Sequence, residues 1–382
     1  MARPAFIGAG IHTVLGRGVA ANVEALRAAP RPPQPVPVEF ANQRETVPYQ
    51  LLADEPQDHG DQRLWRVLEN VIEEAFEAAA LTPEQRRGAA LFVGSSSFDI
   101  SASEAAYRRD LENDPQALPL AVSSSLGNCA NRIRHRFDLR GPDYSFNTAC
   151  TASANAVLYA DALIRAGIVK HALVVGIELF NVITAMGFYS LDLLTRGVMK
   201  PFDSERDGLA LGETCAALVL GPCNADHQFQ LLGGANLCDR HSISAANPDG
   251  SSVAQVMHQA LMAANLHPAN IAALKTHGTA SLLNDEAETA GMRRVFDQAL
   301  PPLCALKPFI GHTLGACGLG ELILFCACAD RNFLIGTPGV CVEKSDLGIV
   351  LNQQPSALLP ADFMLNYFGF GGNNTSLVIS NR

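Results

Sequence analysis

Asn147-Thr148-Ala149-Cys150-Thr151-Ala152-Ser153-Ala154-Asn155-Ala156 decides how this chain is read. A short apolar strand, Tyr144 to Phe146, runs into it and turns abruptly into a helix of small residues. Such a turn aims a thiol at a helix start, where unpaired N–H groups and the positive end of the helix dipole lower its pKa and hold an oxyanion beside it. Cys150 therefore reads as a nucleophile. The pattern returns later as a strand, His312 and the small-residue helix Leu314-Gly315-Ala316-Cys317-Gly318-Leu319-Gly320. The echo implies an internally duplicated α/β architecture in which each half brings reactive residues to the ends of its strands.

Periodicity along the chain supports that architecture. A strand at Ala5 to His12 precedes a helix at Val19 to Ala28 and a proline-rich stretch, Ala29 to Pro37, that reads as surface loop. The helix Gln62 to Ala79 sets Leu64, Val67, Leu68, Ile72 and Phe76 on one stripe, and Ala89 to Gly94 follows as a buried strand. A helix starting at Ser101, another from Ser125 to Phe137 and the strands His171 to Ile177 and Thr214 to Leu220 continue the series. A second series runs through strand Gln228 to Asn236, helix Ser252 to Ala264, strand Ala273 to His277 and helix Asp285 to Phe296. Alternation of this kind builds βαβ units and sheets covered by helices. The expected halves are 1–221, with Cys150, and 222–382, with His277, Lys307 and His312; no flexible linker separates them.

Composition narrows the function. A formal charge of −10 argues against nucleic acid or an anionic membrane as the main partner. The ten cysteines show no CxxC pair and no metal-type spacing, which suits a reducing cytoplasm and argues against a zinc site or disulfide framework. Met1 to Gly8 lacks the apolar run of a signal peptide and reads as a first strand. The most apolar stretch, Leu319 to Ala329, is too short to span a bilayer and carries Glu321.

Five motifs in order resemble the β-ketoacyl-acyl-carrier-protein synthases, the condensing enzymes of the thiolase superfamily, in their elongating Cys-His-His branch. They are Thr148-Ala149-Cys150; Lys200-Pro201-Phe202-Asp203-Ser204-Glu205-Arg206-Asp207-Gly208; His277-Gly278-Thr279-Ala280-Ser281 followed by Asp285 and Glu288; Lys307 with Gly311-His312; and Asn366-Tyr367-Phe368-Gly369-Phe370-Gly371-Gly372. Asn284, in place of a glycine, and Gly212-Glu213-Thr214-Cys215-Ala216 depart from the pattern and bear on substrate more than on chemistry.

The resemblance implies a thiolase-like fold with layered α/β/α/β/α architecture. It also implies decarboxylative condensation of an acyl group on Cys150 with a malonyl-carrier thioester, without metal or cofactor. His277 and His312 would stabilise the enolate, with Lys307 orienting them in a pair with Glu288, beside Asp285. The N–H groups of Cys150 and Phe370 would form the oxyanion hole, and Thr279, Ser281, Phe368 and Phe370 the substrate channel. Expected partners are an acidic acyl carrier protein bearing a phosphopantetheine thioester and a second ketosynthase-like chain, in a homodimer or a heterodimer. Arg63 and Arg66 on one helix, with Arg132 and Arg134 on another, are the candidate carrier-docking residues. The alternative reading is a chain-length-factor-like partner with little activity of its own, although such partners usually lose the nucleophile.

Overall fold

In the first half of the chain five strands assemble: β1 (Pro4–Thr13), β2 (Ala90–Gly94), β3 (Asp143–Phe146), β4 (Ala172–Glu178) and β5 (Thr214–Pro222). Another five follow: β6 (Gln230–Cys238), β7 (Ile271–Lys275), β8 (Leu303–Cys304), β9 (Asp362–Phe368) and β10 (Asn373–Ser380). The computed structural model describes residues 3–40, 43–53, 55–56, 60–118, 126–223, 229–297, 299–337 and 345–382. Ser125 and Gln228, the expected starts of a helix and a strand, lie outside the described residues.

The spatial order is β3-β2-β4-β5-β1 in the first set and β8-β7-β9-β10-β6 in the second, which is the same order shifted by five. Strand directions repeat as well. β2 pairs in parallel with β3 and β4 while β5 runs antiparallel to β4 and β1; β7 pairs in parallel with β8 and β9 while β10 runs antiparallel to β9 and β6. Duplication, expected from a weak echo of pattern, is thus explicit in the topology. The two sets join where β1 meets β6 at Ala5 and Gln230.

Helices fill three layers. α1 (Asp61–Ala78) covers the outer face of the first sheet, and α3 (Ser251–Ala264) with α4 (Leu282–Phe296) covers the outer face of the second. Between the sheets lie α2 (Ala152–Arg165) and α5 (Cys317–Asp330). Strands sandwiched this way are apolar on both faces: Leu91 and Val93 join the outer core while Phe92 joins the central one. Small residues let the two central helices touch, since a Cβ on Gly318 would lie 2.3 Å from the backbone nitrogen of Ala154. This is the expected α/β/α/β/α layering.

The proline-rich stretch differs from expectation. Gln34–Phe40 is a strand, paired antiparallel with Gln43–Gln50 in a small separate sheet. It lies at that sheet's edge, where proline costs no ladder hydrogen bond that a central strand would need. Among the described residues no helix is long and apolar enough to cross a membrane.

Candidate active site

Between β3 and α2 the backbone turns sharply, with Ala149 held at φ +49°, a conformation that costs a non-glycine residue about 1 kcal/mol or more. Cys150 follows in a short 3-10 turn and is buried. Its thiol faces the amide N–H groups of Phe370 and of Cys150 itself. The pKa expected from the helix start is nevertheless reversed. Burial pushes the thiol up to about 12, and the Lys307 ammonium and the two amides pull it only part of the way back.

Opposite the sulfur stands His312, whose Nε2 lies 3.0 Å from Cys150 Sγ. No strand leads directly into His312, contrary to the echo read from the sequence. The short helix Lys307–Ile310 precedes it, and Gly311 (φ +73°) brings the chain against the Leu209 to Gly212 segment. There the His312 N–H donates to the Ala210 carbonyl (2.7 Å), and the Gly212 N–H donates to the His312 carbonyl (3.1 Å). A Cβ on Gly311 would lie 2.6 Å from the Leu211 oxygen, so the approach requires glycine. Nδ1 of His312 has no hydrogen-bond partner among the described residues.

His277 follows the end of β7, its ring edge-on to that of His312 with centroids 5.4 Å apart. Lys307 Nζ lies 3.3 Å from His277 Nδ1. Burial, reinforced by Lys307, holds both imidazoles well below their ordinary pKa, so both are neutral. Glu288 does not pair with Lys307 as expected. Its two oxygens accept the backbone N–H groups of His277 (2.7 Å) and Gly278 (2.9 Å), fixing the turn that carries the imidazole. Asp285 accepts the Phe202 N–H at 2.8 Å, and burial raises its carboxyl to about 7. Its role is to anchor the Phe202 loop.

The partner of Lys307 is Glu321, at 2.7 Å, with both side chains fully buried. Glu321 was visible in the sequence as the one charge in the apolar stretch Leu319 to Ala329, and a carboxylate so placed needs a buried cation. Lys275, also fully buried, holds the other Glu321 oxygen at 2.5 Å.

Models of the beta-ketoacyl synthase N-terminal and C-terminal domains match residues 54–225 and 230–340. The chain belongs to the beta-ketoacyl synthase family. The lovastatin diketide synthase of Aspergillus terreus is 27% identical over 341 residues, covering 82% of this chain and 13% of that protein. A 3-oxoacyl-[acyl-carrier-protein] synthase homolog of Saccharomyces cerevisiae is 29% identical over 306 residues, 73% of this chain and 69% of that one. The chain thus spans 13% and 14% of the length of the fungal polyketide synthases from Aspergillus terreus and Talaromyces stipitatus. Among solved structures, the ishigamide ketosynthase/chain length factor superposes with a TM-score of 0.87 at 24% identity, covering 100% of this chain and 99% of that one. The ketosynthase ApeO in complex with its chain length factor ApeC from Xenorhabdus doucetiae gives 0.85 at 24% identity, covering 100% and 98%. The fold is that of these ketosynthase structures.

A cavity of about 430 Å³ reaches Cys150, His277 and His312, and its lining includes Thr279, Ser281, Phe368 and Phe370. Phe370 stacks on Phe188 beside the sulfur (centroids 5.7 Å). Of the four arginines assigned to carrier docking, Arg63 is misassigned: it is buried and grips Glu213 through two bonds of 2.7 Å. Its spacing from Val67 and Val71 put it on the buried stripe of α1. Arg66, Arg132 and Arg134 are solvent-accessible, each bridged to a carboxylate, Glu55, Asp61 and Asp143 respectively.

Proposed function

We propose that the chain condenses an acyl group carried on Cys150 with a malonyl-carrier thioester, releasing carbon dioxide and a 3-oxoacyl-carrier product, in fatty-acid or polyketide/polyene synthesis. The observation that carries this reading is the 3.0 Å approach of His312 Nε2 to the Cys150 sulfur, with His277 edge-on to His312 over one cavity.

The resting pair is thiol and neutral imidazole. As Cys150 attacks the acyl carbonyl its proton passes to His312 Nε2, and the tetrahedral oxyanion settles between the N–H groups of Cys150 and Phe370. The C–S bond to the carrier breaks and the departing thiolate takes that proton from His312. A malonyl thioester then occupies the emptied arm of the cavity. Its carboxylate leaves as carbon dioxide, and the electron pair spreads onto the thioester oxygen, which accepts N–H bonds from His277 and from His312, whose ring proton has by then moved from Nδ1 to Nε2. The carbanion attacks the acyl carbon, the bond to Cys150 sulfur breaks, and the thiolate regains a proton from water through His312.

The two imidazoles differ in freedom. The Lys307 ammonium donates to His277 Nδ1 and leaves its proton on Nε2, so His277 serves as a donor throughout. His312, unpartnered at Nδ1 among the described residues, is free to accept a proton in the first half-reaction and donate in the second. Thr279 and Ser281 line the cavity with hydroxyl groups 2.9 Å apart, suited to the amides of a pantetheine arm. The nucleophile belongs to the half 1–221 and its partners to 222–382.

The acidic carrier protein would approach the cavity mouth, where the exposed Arg240 neighbours the lining residue Asp239 and the Arg196 N–H donates to lining Asp207. A second ketosynthase-like chain would cover edge strand β3, whose Tyr144 and Phe146 pack against the exposed Tyr159. A Cys150-bound acyl group seen by intact mass after incubation with acyl-carrier thioester, and absent from Cys150→Ala, supports an active enzyme. Its persistent absence from the parent supports a silent partner.

A further inference from the structure

Lys275 is a lysine in a buried strand, with no exposed surface. Lysine is almost never buried completely unless paired, because removing an ammonium from water is expensive. Lys275 is the last residue of β7, and one residue, Thr276, separates it from His277. Its Nζ donates to Glu321 Oε2 (2.5 Å) and to the Asn366 carbonyl (2.7 Å), and lies 3.6 Å from the centre of the Tyr367 ring. Asn366 belongs to β9, which continues to Phe368, the ring packed on His277 at 5.6 Å. One ammonium therefore ties together β7, α5 and β9 behind the histidine pair.

Charge gives the arrangement its meaning. Glu321 accepts from Lys275 on one oxygen and Lys307 on the other, so it stands as a carboxylate between two cations. Burial raises the Glu288 carboxyl, but its two oxygens accept the His277 and Gly278 N–H groups, and these bonds favour the carboxylate. The four charges cancel while Lys275 is present. Without it, Lys307, Glu321 and Glu288 leave one net negative charge behind His277, where the reaction places another negative charge in front.

We propose that Lys275 is a positioning residue for carbon–carbon bond formation: it pins the far oxygen of Glu321 and the Asn366 carbonyl, and its charge keeps the buried group behind His277 neutral while the enolate forms. Acyl transfer to Cys150 depends on the Cys150 and Phe370 amides instead, so Lys275 acts on the second half-reaction more than on the first. The proposal rests on the condensing reading above.

The test is a single-turnover comparison of the parent, Lys275→Met and Lys275→Gln, in two stages. Acylation of Cys150 is followed by intact mass, then malonyl-carrier is added and the 3-oxoacyl product is timed. Both variants should acylate within about twofold of the parent yet condense roughly tenfold or more slowly, with an unchanged KM for malonyl-carrier. Parental condensation in Lys275→Met overturns the proposal, and so does recovery in Lys275→Gln, which would make hydrogen bonding sufficient. A parallel fall of acylation and condensation, or loss of the fold in both variants, makes Lys275 structural and overturns it equally. Failure of the parent itself to condense is a separate result, against the condensing reading.

Discussion

Lys307 Nζ sits 3.3 Å from Nδ1 of His277, and an ammonium has only donors to offer. That contact fixes the tautomer: His277 keeps its proton on Nε2 and presents a donor to the cavity it lines. Glu321, buried at 2.7 Å on the other side of Lys307, holds the ammonium in place. Replacing Lys307 with methionine should therefore free the ring while keeping its bulk. Condensation is expected to fall by about 10²-fold, the scale of a lost oxyanion donor, with a smaller effect on acylation of Cys150. Equal rates in stopped-time product assays of parent and variant would show that the tautomer lock is irrelevant.

The resting state of Cys150 follows from burial. With its pKa pushed up to about 12, the sulfur at neutral pH is a thiol hydrogen-bonded to a neutral imidazole, not a thiolate paired with imidazolium. Alkylation of Cys150 by iodoacetamide, tracked by peptide mapping so that exposed Cys223 and Cys238 are resolved from it, should still be rising at pH 9 to 10. A plateau below pH 7 would reveal a preformed ion pair.

Asp285 links stability to pH. Burial raises its carboxyl from an ordinary 3.8 to about 7, so the folded chain retains a proton that the unfolded chain releases. The contribution is fully present below the unfolded value and disappears as pH rises through about 7. Asp285→Asn, which cannot ionise, should show a flatter dependence of Tm on pH between about 4 and 7 than the parent. Parallel curves for the two proteins would place the pH dependence elsewhere.

Carrier docking separates two groups of arginines. Arg132 and Arg134 already meet Asp61 and Asp143, whereas the side chains of Arg196 and Arg240, exposed beside the cavity-lining Asp207 and Asp239, have no ion pair among the described residues. Charge reversal at Arg196 and Arg240 should raise KM for carrier-bound substrate several-fold and spare a small-thiol analogue. Reversal at Arg132 and Arg134 should have the lesser effect. The opposite ranking, or equal effects on both substrates, would move the docking surface.

How much of this could be read from residues alone depended on whether the signal was local. Cys150 announced itself because a strand, a turn and a small-residue helix are contiguous, and the histidines because each sits in its own motif. The Lys307–Glu321 pair was missed in favour of Glu288, because motif order says nothing about which side of a ring a carboxylate approaches. The one acid in the apolar stretch Leu319 to Ala329, and a lysine in a buried strand, were the available clues to Glu321 and Lys275. Arg63 was misplaced for the converse reason: a charged residue was assumed to face water although its helical spacing set it among Val67 and Val71. Prolines in Gln34–Phe40 hid a strand because an edge position tolerates what a central one does not. Thiol pKa went the wrong way because the dipole of a helix start is a local feature, whereas burial is set by the whole fold.

The central claim is that Cys150 stores an acyl group that a decarboxylated malonyl thioester removes beside His277 and His312. Chasing acyl-Cys150 with malonyl-carrier labelled at its carboxyl carbon tests this directly. One labelled carbon dioxide and one 3-oxoacyl product should appear for each adduct consumed, and His277→Ala should acylate normally yet release neither. An adduct that disappears without labelled carbon dioxide, or product that forms while the adduct persists, would contradict the account.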